Sequence, residues 1–118
     1  MIINQPGAEF FYENVCYKIG DRIVGTDASE YQGLLGSIIE IRDGEDKETE
    51  NETPDIYCSF DDPVLPYDIA ELEKRFSELY QCKKTIEDIA LDEVIMAPEM
   101  IETIEQADKQ LTKLNIYL

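Results

Sequence analysis

Gly20-Asp21-Arg22-Ile23-Val24, followed after a loop by Gly33-Leu34-Leu35-Gly36-Ser37-Ile38-Ile39-Glu40-Ile41, is the stretch that decides the fold. Two strand-like runs flank the loop, and glycines stand where the backbone must turn or approach a neighbour closely. The run from Leu35 to Arg42 is the clearest strand in the chain, rich in isoleucine. The pattern reads as the opening of a small, strongly bent β-barrel.

Working outward, residues 1–13 fit either a short helix or a strand, with Phe10-Phe11-Tyr12 as an aromatic patch capping one barrel end. Val15-Cys16-Tyr17-Lys18-Ile19 alternates as a strand, and Asp27-Ala28-Ser29-Glu30 is a polar loop. Asp43-Gly44 opens a turn. Glu45 to Thr53 has no apolar residue and reads as a solvated, mobile hairpin tip with nothing to bury. Asp55-Ile56-Tyr57-Cys58-Ser59-Phe60 then returns as a strand of period two.

The period changes at Leu65. Leu65, Ile69, Leu72, Phe76 and Leu79 recur at helical spacing and form one apolar face, with Pro66 in the first turn. Thr85 reads as the N-cap of a short helical turn over Ile86-Glu87-Asp88. Glu93-Val94-Ile95-Met96-Ala97 before Pro98 reads as the last strand. Met100, Ile104, Ala107, Leu111 and Leu114 again follow helical spacing and predict a C-terminal amphipathic helix over 99–115.

Charge bounds the partners. The 118 residues carry 27 acids against 10 bases, a net charge of −17. Nearly half of that excess lies in residues 43–62. Such a chain repels nucleic-acid phosphates and anionic membranes, and its acidity serves solubility or meets a basic partner. With 43% hydrophobic residues it is too apolar for disorder and long enough for one self-supporting domain. No apolar run approaches the length of a membrane span, and the N-terminus lacks the pattern of a secretory signal. Cytoplasmic localisation is the resulting expectation.

Chemistry-bearing constellations are few. The chain has no histidine, which removes imidazole acid–base work and histidine metal ligands. Cys16, Cys58 and Cys82 are scattered, without a paired spacing that would suggest zinc or a disulfide framework. Cys82, followed by Lys83 and Lys84, is the one candidate for an activated thiolate, against the plainer reading of a residue at a helix end. Asp61-Asp62 and the loop acids Asp43, Glu45 and Asp46 offer oxygen ligands, but without the spacing of a calcium loop. The expectation is therefore no catalytic residue, no cofactor and no metal.

Gly20-Asp21-x-Ile23 with Gly33-x-x-Gly36-x-Ile38-x-x-Ile41 resembles the KOW motif found in SH3-like barrel domains of bacterial transcription elongation factors and ribosomal proteins. The resemblance spans Gly20 to Ile41 and implies an SH3-like barrel. KOW modules that bind RNA are basic, whereas the loop from Asp27 to Gln32 has no Lys or Arg. Nucleic-acid binding is therefore carried onto no residue here. The stretch from Tyr31 to Pro98 resembles small uncharacterised bacterial proteins.

Together these readings predict a single α+β domain over 1–118. It comprises a small SH3-like barrel at 14–98, a helix inserted at about 66–82 before the last strand, and the C-terminal helix. Gly20, Gly33 and Gly36 are assigned to the turns. The expected function is a non-catalytic protein-interaction or accessory module. It docks on another protein through Tyr31, Tyr57, Phe60 and Tyr67, the acidity leaving a basic partner as one option beside plain solubility. The alternative is an acidic nucleic-acid mimic that occupies the binding site of a basic protein. Neither nucleic acid nor membrane is expected as a partner, and the C-terminal helix offers a seam for a homodimer.

Overall fold

The structure, a computed structural model, describes residues 1–104. In chain order the elements are β1 (Ile2–Ile3), β2 (Glu9–Tyr12), β3 (Val15–Lys18), β4 (Arg22–Gly25), β5 (Leu35–Arg42), β6 (Asp55–Phe60), α1 (Pro66–Tyr80), β7 (Val94–Met96) and β8 (Ile101–Thr103). The architecture is α+β. No helix among the described residues is long and apolar enough to cross a membrane.

β5 organises the sheet because it is long enough to serve several partners. Leu35–Ser37 pairs antiparallel with β4, and Ile41 and Arg42 pair with β1. β6 runs antiparallel along the other edge, from Gly36 opposite Phe60 to Arg42 opposite Asp55. The register of β5 against β6 shifts between Ile38 and Glu40, a bulge that bends the strand and lets its first edge change neighbours. The order across the sheet is β7-β6-β5-β4-β8, all antiparallel. The core beneath it is built on Ile23, Ile38, Ile41, Ile56, Cys58 and Met96, all fully buried. β6 does not alternate: Asp55 to Cys58 and Phe60 are all buried, because the strand lies inside the sheet and is covered on both faces.

The sheet differs from the expected barrel in not closing. β7 and β8 are the two edges, three residues each, and Pro98 opens a 3-10 turn (Pro98–Met100) between them. They part to opposite sides of the sheet rather than pairing. The expected C-terminal helix is likewise displaced over residues 99–103. Ile101 and Thr103 are buried on either side of a less buried Glu102, a period of two, and they complete the outer ladder of β4 at Ile23, Val24 and Gly25. β7 is thus not the last strand. Ala107, Leu111 and Leu114, and with them the proposed dimer seam, lie outside the described residues.

Phe10-Phe11-Tyr12 proves to be strand, in a separate two-stranded hairpin of β2 and β3. Its two-residue turn places Glu13 at φ 47° and Asn14 at φ 66°, the left-handed conformations that the twist of a tight hairpin requires. Neither residue is glycine, so Asn14→Gly should raise stability by roughly 0.5–1 kcal/mol in urea unfolding.

The three assigned glycines divide by role. Gly20 (φ 98°) and Gly33 (φ 83°) occupy left-handed turns. Gly36 does not: it is a buried strand residue, and a Cβ there would stand 2.6 Å from the Ser59 carbonyl oxygen and 3.0 Å from the Phe60 ring. Its requirement is closeness between β5 and β6, not positive φ. Gly36→Ala should therefore cost roughly 1–3 kcal/mol, by forcing apart two backbones rather than a flexible side chain. An unchanged urea midpoint would show that the strands separate without penalty.

Candidate docking surface

α1 forms because Pro66 presets the first turn, helix formers fill the middle, and Leu65, Ile69, Leu72, Phe76 and Leu79 share one face. Only the middle of that face is covered. Leu72 and Phe76 are buried, whereas Leu65 is 60% and Leu79 57% exposed. Gln81 ends the helix in the left-handed conformation, φ 54°. The Ser77 hydroxyl accepts from the Lys84 amide at 2.8 Å, and Glu73 accepts from the Ile86 amide at 2.9 Å, tying the following turn back onto the helix.

The loop between β4 and β5 lies opposite α1, held by Tyr31. The Tyr31 ring stacks on Phe60 with centroids 4.7 Å apart and meets Phe76 edge-on at 5.3 Å. Its amide donates to Ser29 Oγ at 3.0 Å, and its hydroxyl donates to the Ala90 carbonyl at 2.6 Å. Burial, then the neighbouring Glu30 charge, pushes the phenol up to about 12. From the helix, Arg75 Nη1 donates to the carbonyls of Glu30 (3.0 Å) and Gln32 (2.9 Å), gripping the chain on both sides of Tyr31.

Between α1 and this loop runs a trough that the Arg75 side chain bridges. One depression, about 480 Å³, has Leu35, Val64, Leu65 and Leu72 among its apolar walls and Asp62, Asp68 and Glu71 on its rim. The other, about 550 Å³, lies beside Leu79 with Asp27, Glu30 and Glu78. Asp61 also borders the first depression, but it is paired with Arg22, whose hydrogen bonds hold the Asp61 pKa below its ordinary value. Nine large apolar side chains among the described residues are exposed. Six of them, Leu35, Val64, Leu65, Tyr67, Leu79 and Tyr80, belong to α1, its lead-in or the facing end of β5, so the exposure is concentrated rather than scattered.

The residues expected to contact a partner do not form one exposed surface. Tyr31 and Phe60 are core, stacked on one another. Tyr57 is buried within β6, its ring 4.9 Å from the Arg42 guanidinium carbon. Its hydroxyl is buried, and burial, then the neighbouring Glu48 carboxylate, pushes it up to about 12. Tyr67 alone is exposed, at 76%, on the first turn of α1. The aromatics in polar or alternating surroundings read as surface from the sequence because their covering partners come from elements distant in the chain. The visible signal for the exposed apolar residues was Val64-Leu65, an apolar pair preceding a helix-starting proline.

Among the described residues, no group of three or more Asp, Glu or Cys side chains is placed to hold a metal ion. Cys58 is buried, and burial pushes its thiol up to about 12. Cys82 is exposed just past the end of α1. No protein-family model, curated protein or solved structure matches the chain.

The acidic loop after β5 is bound to the fold rather than idle. Asp55 is buried, and its carboxylate accepts from the Glu48 amide (2.8 Å), the Thr49 amide (3.0 Å) and the Thr49 hydroxyl. Arg42 adds a pair with Glu48 at 3.1 Å. Burial raises the Asp55 pKa, but the hydrogen bonds from Thr49 and Glu48 outweigh it, and the net displacement is below the ordinary 3.8. A carboxylate depressed on folding contributes stability above its unfolded pKa and loses it as pH falls through the folded value. Asp55→Asn should therefore cost roughly 1–3 kcal/mol at neutral pH, and its difference from wild type should narrow steadily below about pH 4. Urea unfolding across pH 2.5–7 reads both.

Proposed function

We propose that the protein is a non-catalytic interaction module that docks on another protein through the trough between α1 and the β4–β5 loop. The observation that carries this reading is the uncovered length of the α1 stripe. Its middle residues, Leu72 and Phe76, join the hydrophobic core, while Leu65 and Leu79 stand exposed at the two ends of a trough already shaped by Tyr31 and Arg75. Fully burying a leucine is worth roughly 1.5–3 kcal/mol, so two such anchors supply a substantial share of a micromolar affinity. The net charge of −17 disfavours nucleic acid and anionic lipid as the occupant.

The scaffold in this reading is a decorated, open relative of the SH3-like barrel, as the KOW-like stretch implies. Two features support it. β4 to β7 meander through a bent long strand, and the chain then passes through a 3-10 turn to place β8 beside β4.

The test is affinity capture in lysate of the source organism with the full chain and with Leu65→Ser/Leu79→Ser. Both side chains are exposed, so the variant should unfold within about 1 kcal/mol of wild type. A protein held by the wild type and lost by the variant supports the reading. Equal recovery on both, or no specific protein on either, contradicts it.

A further inference from the structure

We infer that the occupant of the trough is a basic amphipathic helix of a partner protein. The inference rests on the docking reading above and names the chemistry of what docks.

The first reason is charge. Besides Asp61, which is paired with Arg22, three carboxylates (Asp62, Asp68, Glu71) border one depression, and three (Asp27, Glu30, Glu78) the other. Among the described residues, the one cation lining both depressions, Arg75, is turned onto two backbone carbonyls. Lysine or arginine flanking an apolar stripe meets this rim, while a second copy of a chain at −17 is repelled by it.

The second reason is the state of the bank's backbone. An extended peptide gains affinity by adding to free amides and carbonyls of an edge. Here those groups are used locally. Gln32 N donates to Ser29 O at 3.1 Å, Gly33 N to Gly25 O at 2.9 Å and Leu34 N to Tyr31 O at 3.0 Å. Arg75 occupies the Glu30 and Gln32 carbonyls. The opposite bank is mostly helix, whose backbone past its first turn is satisfied internally. A segment that bonds its own backbone suits such a surface.

The third reason is length. Leu65 and Leu79 are separated by about 21 Å along a helix axis at 1.5 Å per residue. A partner helix of about four turns spans that distance, with one apolar side chain in each depression and its intervening residues passing over the Arg75 bridge.

The probe is a labelled 18-residue designed peptide with leucines on one helical face and lysines on the flanks. Its controls are a scramble of the same composition and a version with glutamate for lysine. Fluorescence anisotropy at 150 mM salt is read against the full chain, Leu65→Ser/Leu79→Ser and Asp68→Asn/Glu71→Gln/Glu78→Gln. The expected result is at least tenfold tighter binding of the amphipathic basic peptide than of either control, with at least a tenfold loss on each variant. Equal binding of the scramble would reduce the effect to charge attraction and overturn the inference. So would binding unchanged by the leucine substitutions. If the captured partner is lost on the leucine variant but retained on the carboxylate variant, docking through the trough stands and its basic helical occupant falls. Concentration-dependent self-association of the wild type, abolished by Leu65→Ser/Leu79→Ser, would place a second copy there instead.

Discussion

The stack of Tyr31 on Phe60 is the contact on which the rest of the surface depends. Two nearly parallel rings, 2° between planes, join the β4–β5 loop to the end of β6, and Phe76 brings α1 against the same pair. Aromatic pairs of this geometry are worth about 0.5–1.5 kcal/mol beyond the area they bury. The hydroxyl reaches the Ala90 carbonyl, so one side chain holds loop, strand, helix and the connection leading to β7. Arg75 then grips the peptide groups on either side of Tyr31. The two banks of the trough are thus set by one residue and its immediate neighbours.

That cluster needs the adjoining ends of β4, β5 and β6 brought close beneath it, and here the constraint is steric. A Cβ at Gly25 would fall 2.2 Å from the Tyr31 carbonyl oxygen, and one at Gly36 would meet Ser59 and Phe60. Missing side chains at these two positions let the loop fold back and let β5 approach β6. At the far end of the same two strands, Asp55 gathers the amides of Glu48 and Thr49 and closes the connection that joins them. The two ends of the β5–β6 ladder are fixed by unlike means: aromatic packing at one, a buried carboxylate at the other.

The elements written in local periodicity were legible from the residues alone. β4, β5, β6 and α1 fall where alternation, isoleucine content and helical spacing place them, because each signal lies within its own segment. What depends on distant partners was not legible. Met100 and Ile104 match a helical period, yet Ile101 and Thr103 go to a strand because β4 presents an open ladder far back in the chain. Tyr31 sits between Glu30 and Gln32 and reads as surface, although Phe60 and Phe76 cover it. The acidic loop has nothing apolar to bury, and its anchor is a hydrogen-bonding carboxylate that hydropathy does not register. Leu65 and Leu79 matched the helix period, but whether the ends of a stripe are covered depends on the size of the sheet beneath it.

The central claim is that Tyr31 fastens α1 and the β4–β5 loop as one unit onto the sheet. Hydrogen exchange read by mass spectrometry on the wild type and Tyr31→Ala tests it most directly. The expected result is faster exchange in residues 26–34, in α1 and in residues 85–91 together, with β5 and β6 amides still protected. Faster exchange confined to the loop, with α1 at wild-type rates, would contradict it.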